Sequence, residues 1–171
     1  RAEGGHSVHA LHHVDLLEWM MGDVDSVFAM TSTALVDIES EDTAVVALRF
    51  RNGALGVIEA TTATRPKDLE GSISILGEKG TVEIGGFAVN QMKVWNFVEP
   101  TADDATVMEN YSVNPPNVYG FGHQAYYEHV VHALKHGGPN LVDGLEGRRS
   151  LELITAIYES VETGREGPLR I

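Results

Sequence analysis

Four histidines, His6, His9, His12 and His13, fall within eight residues of one another near the start of the chain. On a helix His9 and His12 are neighbours at i, i+3, and His9 and His13 at i, i+4. Imidazole titrates near neutrality, so such a group can pass a proton at the pH where an alcohol is oxidised. Asp15 follows His12 by three residues on the same side and is placed to orient it. The alternative is a polar helix end whose histidines are simply solvated. His9 and His13 also have the spacing of a zinc pair, although the sequence fixes no third ligand and lacks the glutamate of HExxH. His129, His132 and His136 lie on a second helical stretch with apolar residues between them and read as its wet face. His123 follows Tyr119-Gly120-Phe121-Gly122, where two glycines let backbone approach a ligand closely and a helix start favours anions. Glu59, with a two-residue hairpin turn, shares a face with Val46, Leu48, Leu55 and Val57; it then sits at a wet strand end or aims into a cleft, and a bulge would flip it. Arg65, Lys67, Arg148 and Arg149 are basic residues suited either to a phosphate or carboxylate or to surface ion pairs.

The elements that must hold these groups follow from periodicity. Ala10, Val14, Leu17 and Met21 form one apolar stripe, which predicts a helix over 7–21 with Ser7 as N-cap and Gly22-Asp23 as its end. From 24 to about 112 the texture is that of strands. Ala44, Val46, Leu48 and Phe50 alternate with Val45, Ala47 and Arg49, and Asn52-Gly53 supplies the turn of a hairpin over 43–62. A second hairpin joins 72–76 to 81–84 through Gly77-Glu78-Lys79-Gly80, and 91–98 is a further strand. Asp103-Asp104 and Asn114-Pro115-Pro116-Asn117 mark loops. Helices return over 123–136, with Tyr126, Val130 and Leu134 on one face, and after Asp143-Gly144-Leu145-Glu146, which has capping-box spacing. The stripe expected for the last helix is Leu151, Ile154, Tyr158 and Val161, closed by Gly164. Tight hairpins exclude parallel pairing, so the fold class is α+β: an open, mainly antiparallel β-sheet with helices packed on one face. The uncovered face meets a partner, most simply a second copy of the chain.

Composition narrows the function. The chain has 171 residues, 25 acidic against 12 basic, a formal charge of −13, and no cysteine. With 43% hydrophobic residues it can bury a core as one compact domain over 1–171, which argues against disorder, and a disulfide scaffold is impossible. No apolar run approaches the ~18–20 residues that cross a bilayer. The acidic balance opposes nucleic acid and anionic membranes, and a cytoplasmic location is the expectation. Arg1 is not a start methionine and no signal peptide follows it, so a fragment of a longer protein is expected. There is no GxGxxG, no GxxxxGK[ST] and no nucleophile elbow; Gly120-Phe121-Gly122 is only GxG.

Several stretches in register resemble a known family. Gly4-Gly5 with the segment His9 to Gly22, then Glu41-Asp42-Thr43-Ala44, Asn52 to Gly56, Ile75 to Val82, and Asp143 to Arg148 through Tyr158-Glu159-Ser160 resemble the C-terminal domain of the Gfo/Idh/MocA oxidoreductases. Asp68 to Ile73 and Asn114 to His123 look most like the nucleotide-sugar branch, the UDP-N-acetyl-2-amino-2-deoxyglucuronate dehydrogenases. The resemblance implies a substrate-binding and oligomerisation half whose missing partner is a Rossmann domain carrying NAD or NADP. The implied activity is oxidation of a sugar or nucleotide-sugar hydroxyl, at C3 of a UDP-sugar uronate, by hydride transfer; this half alone is expected to be inactive. His12 falls where the family places its active-site histidine. His9 stands where this branch often has Gln, and Val8 where many members have Asp or Asn. His123, Tyr119 and Asn117 are the implied substrate contacts. The implied partners are a small sugar substrate and further copies of the chain, as dimer or tetramer through the open sheet face, with no nucleic acid, membrane or resident metal. A non-catalytic sugar-binding or assembly module of the same fold is the competing reading, and a zinc-dependent sugar enzyme built on the N-terminal histidines is a third.

Overall fold

The structure, a computed structural model, describes residues 5–67, 69–86, 89–115 and 120–169, with side chains from Leu11 onward. The elements run α1 (Gly5–Met21), β1 (Val24–Ser32), β2 (Thr43–Phe50), β3 (Leu55–Thr61), β4 (Ile73–Gly77), β5 (Gly80–Gly85), β6 (Gln91–Phe97), α2 (Asp104–Asn110), α3 (Gly122–His136), α4 (Gly144–Thr163) and β7 (Gly167–Pro168). All the described strand pairs are antiparallel. The chain divides into two compact units, 1–68 with 142–171, and 69–141.

The first unit is a four-stranded sheet in the order β3-β2-β1-β7, with α1 and α4 packed on one face. Strict alternation on β2 sends Ala44, Val46, Leu48 and Phe50 inward and Val45, Ala47 and Arg49 outward. Val46, Leu48 and Phe50 of this set meet Val24, Val27 and Ala29 of β1, Val14 of α1, and Leu153, Ala156 and Ile157 of α4 in one apolar core. Phe50, Leu153, Val27 and Val46 are almost fully buried, and each such side chain contributes about 1.5–3 kcal/mol of transfer free energy. The hairpin between β2 and β3 closes through residues 51–54, with Gly53 at φ +88° and the Ala54 amide donating to Asn52 Oδ1. That four-residue connection corrects the two-residue register. Val45 pairs with Glu59 and Val46 with Ile58, so Glu59 shares the outward face with Val45, Val57 and Leu55 rather than with Val46 and Leu48.

Helix ends and faces bring further corrections. α1 begins at Gly5, so Ser7 lies inside the helix and does not cap it. Its C-terminus is closed by Asn52, whose Nδ2 donates to the Met21 carbonyl at 2.9 Å, so the hairpin turn also caps the helix. On α4, Asp143 caps as expected, its Oδ1 accepting from the Leu145 and Glu146 amides, and Gly164 ends the helix at φ +64°. The buried face is Ser150, Leu153, Ala156, Ile157 and Ser160; Leu151, expected in the stripe, is exposed.

The second unit holds the sheet β4-β5-β6 with α2 and α3. The two hairpin strands and the following strand fall where alternation predicts them. Helix α2 occupies the segment read as a loop from Asp103-Asp104: the Trp95 indole donates to Asp104 Oδ1 at 2.7 Å, and the Thr101 amide and hydroxyl both donate to Oδ2. Lys93 and Glu70 form an ion pair at 2.7 Å, which holds the Glu70 carboxyl below its usual range.

Candidate functional site

The histidine helix turns one side to the sheet, although that side includes the acid Glu18 and the opposite side carries the exposed Trp19. Val14 is buried against the sheet, Leu11, His13 and Leu17 are half-buried, and His12 is exposed. An exposed imidazole can reach a substrate hydroxyl and exchange a proton with it. Burial, and secondarily the neighbouring His12, lowers the affinity of His13 for its proton. Asp15, expected to orient His12, accepts instead from the buried Ser150 hydroxyl at 2.5 Å and so ties α1 to α4. The side chain of His9 lies outside the described residues, as does that of Val8.

One turn beyond Asp15, Glu18 is nine-tenths buried, and its Oε2 has no hydrogen-bond partner among the described residues. Burial pushes its carboxyl up to about 7, Asp23 adding to the rise and Arg149 opposing it. Arg149 lies 3.9 Å from Asp23 and 3.6 Å from Glu146, so ion pairing takes up its charge. The sequence carried a trace of this: position 18 follows Val14 by four and precedes Met21 by three, which puts an acid beside the apolar stripe.

At the opposite end of the sheet a second acid is held in the reverse manner. Asp42 is fully buried, and its Oδ2 accepts from the amides of Ala34, Leu35 and Val36 while Oδ1 accepts from the Thr43 hydroxyl. Led by the Leu35 amide, these donors hold the carboxyl down to about 2. Beside it the Tyr158 hydroxyl donates to Glu41 at 2.8 Å. A cavity of about 40 Å³, lined by Val14, Ala44, Ile58, Ile154 and Tyr158 among others, lies between helices and sheet. It has room for a water molecule but not for a sugar.

The remaining candidates lie in the second unit. His123 is exposed in the first turn of α3, just after Gly120 at φ +69°. Tyr119 and Asn117 lie outside the described residues. His129 Nε2 accepts from the Leu141 amide at 2.9 Å, which ties down the segment after α3, and the rings of His132 and His136 stack at 4.4 Å. Among the described residues no group of three or more His, Cys, Asp or Glu is placed to hold a metal ion. No helix among them is long and apolar enough to cross a membrane. None of the described strands leads into a helix through a glycine-rich turn of the kind that cradles a dinucleotide.

Comparison with known proteins supplies the context. Residues 1–171 match the family model of the oxidoreductase family, C-terminal alpha/beta domain. The WlbA dehydrogenase of Bordetella pertussis, solved in complex with NADH and UDP-GlcNAcA, superposes with a TM-score of 0.86 at 49% identity, over 95% of this chain and 47% of that one. The WlbA dehydrogenase of Chromobacterium violaceum, also with NADH and UDP-GlcNAcA, gives 0.87 at 45% identity over 98% and 46%. Myo-inositol 2-dehydrogenase of Thermotoga maritima is 30% identical over 91% of this chain and 46% of its own length. The chain thus spans about half the length of each of these relatives. It belongs to the Gfo/Idh/MocA oxidoreductase family, as the C-terminal α/β domain of that fold.

Proposed function

We propose that this chain is the substrate-binding and oligomerisation half of an oxidoreductase acting on a nucleotide-sugar hydroxyl, at C3 of a UDP-sugar uronate. The observation that carries the reading is the 49% identity, over nearly the whole chain, to a dehydrogenase solved with UDP-GlcNAcA and NADH. The hydride acceptor, NAD or NADP, is bound mainly by a dinucleotide-binding half outside this chain, a reading supported by the 47% share of the NADH-bound WlbA dehydrogenase that this chain covers. What this chain contributes is substrate binding and proton movement. His12 takes the proton of the substrate hydroxyl as the carbonyl forms, and its exposure on α1 suits that role. His9 assists on the preceding turn, while His123, Tyr119 and Asn117 contact the substrate. Copies of the chain associate through the open sheet face.

A second reading keeps the fold and the sugar site but not the chemistry, and Val8 favours it, because that position carries no polar partner for His12. The two separate on one variant. In the intact enzyme His12→Ala lowers turnover by roughly 10²–10⁴, the usual weight of acid–base catalysis, with the melting temperature almost unchanged. Sugar binding without turnover in the unsubstituted protein would favour the assembly module, and a large loss of stability with normal turnover would make His12 a packing residue.

A further inference from the structure

Helices α1 and α4 meet through polar groups as well as through the core. Asp15 lies midway between His12 and Glu18, three residues from each, and accepts from the buried Ser150 hydroxyl of α4. On the next turn Glu18 is only 9% exposed, and one of its carboxylate oxygens meets no donor among the described residues. The charged groups around it are mostly of its own sign: Asp15 one turn before it, Asp23 just past the end of α1, and Glu152 on α4. Arg149 of α4 is the cation that opposes them, and its charge is shared with Asp23 at 3.9 Å and Glu146 at 3.6 Å. Arg51, in the hairpin turn, lies 3.9 Å from Asp23. Strands β2 and β3, which also touch α1, turn apolar residues such as Leu48 and Ile58 inward and add no charge. A carboxyl so placed keeps its proton, because ionising it would strand a charge away from water and without a full counter-charge. Burial, and then Asp23, raise that carboxyl to about 7, so the proton leaves near neutrality.

We propose that Glu18 is a positioning residue for His12: its proton seats α1 on α4, and losing that proton shifts the helix and carries His12 out of line with the substrate. The inference rests on the reading of His12 as the group that takes the substrate proton. Glu18 and His12 stand six residues apart on one helix, about 9 Å along its axis, so a tilt at one is felt at the other. An ionised Glu18 repels Asp15, Asp23 and Glu152, while Arg149 is already engaged by Asp23 and Glu146. A displacement of about 1 Å at a reacting group costs on the order of 100-fold in rate. His12 must be free of a proton to accept one, whereas Glu18 must hold its own, so the productive form is confined to a window of pH. By linkage, the raised carboxyl contributes a seating that is complete below 4.5 and lost as pH rises through about 7.

Hydrogen exchange of the α1 amides in the intact protein, corrected for its intrinsic pH dependence, reads the seating without any turnover. Opening of α1 should rise by up to about 300-fold from pH 4.5 to 7 and then level off, whereas Glu18→Gln, which cannot ionise, should stay flat. The pH profile of kcat/KM for NADH formation reads the consequence. Above pH 7 it should fall by about tenfold per unit in the unsubstituted enzyme, and Glu18→Gln should hold its rate to pH 8.5. Two substitutions at one ion pair should act in opposite directions. Asp23→Asn moves the falling limb to lower pH and Arg149→Gln to higher pH, whereas a purely structural role for the pair would make both act alike. A pH dependence of α1 exchange that survives Glu18→Gln overturns the proposal, and so does an alkaline loss of kcat/KM that survives it. If exchange behaves as predicted and no NADH forms at any pH, the seating of α1 by Glu18 is upheld and the reading of the reaction falls.

Discussion

Asp42 and Glu18 show how the same functional group takes opposite states in one small unit. Asp42 meets four donors and stays ionised to about pH 2; Glu18 is buried among other acids and holds its proton to about pH 7. The two therefore affect stability in opposite directions. The depressed carboxyl of Asp42 contributes stability that is complete above the unfolded value of 3.8 and lost as pH falls toward 2. Asp42→Ala should lower the melting temperature by roughly 5 °C or more at neutral pH, since three amides lose their acceptor, and the gap should close between pH 4 and 2 in thermal scans. The raised carboxyl of Glu18 favours folding below 4.5, and that contribution is lost as pH rises through 7. Glu18→Gln should accordingly stabilise the protein by about 1–2 kcal/mol at pH 8 in denaturant titrations and change little near pH 4.5. At this scale the histidines were readable from spacing, but their partners were not. Which hydroxyl Asp15 would take, and which acid would lose water, depend on where α4 crosses α1, and local sequence does not carry that.

The hairpins were legible as elements because alternation and Asn-Gly act over a few residues. Helix α4 was legible in extent and in both caps, yet its buried face was misjudged. Its buried residues include Ser150, Ala156 and Ser160, whose small size permits close approach but adds little to an apolar stripe. Ser160 shows why a polar residue belongs there: its hydroxyl donates to the Arg165 carbonyl and accepts from the Ala29 amide, joining helix, strand and turn. Ser150→Ala should remove the link from α4 to Asp15 and cost about 1–2 kcal/mol in chemical denaturation. In the second unit Gly80 is confined by the opposite strand. A Cβ there would collide with the Asn96 carbonyl and come within 2.6 Å of the Phe97 ring. Gly80→Ala should therefore destabilise by about 1–3 kcal/mol, read from the melting curve, despite the lower conformational entropy that alanine gives the unfolded chain.

For the molecule as a whole, fold and family were within reach of one sequence because antiparallel hairpins exclude a parallel sheet and because family-like segments recur in register along the chain. The activity lies further off, since the chain covers under half of either WlbA dehydrogenase. His12 and His123 fall in different compact units. The most direct test of the central claim is NADH formation by the intact protein supplied with NAD and UDP-GlcNAcA, beside free myo-inositol as an alternative substrate. The account predicts NADH with the nucleotide sugar and little with the free polyol. Turnover of the free polyol alone, or binding of the nucleotide sugar with no NADH formed, would contradict it.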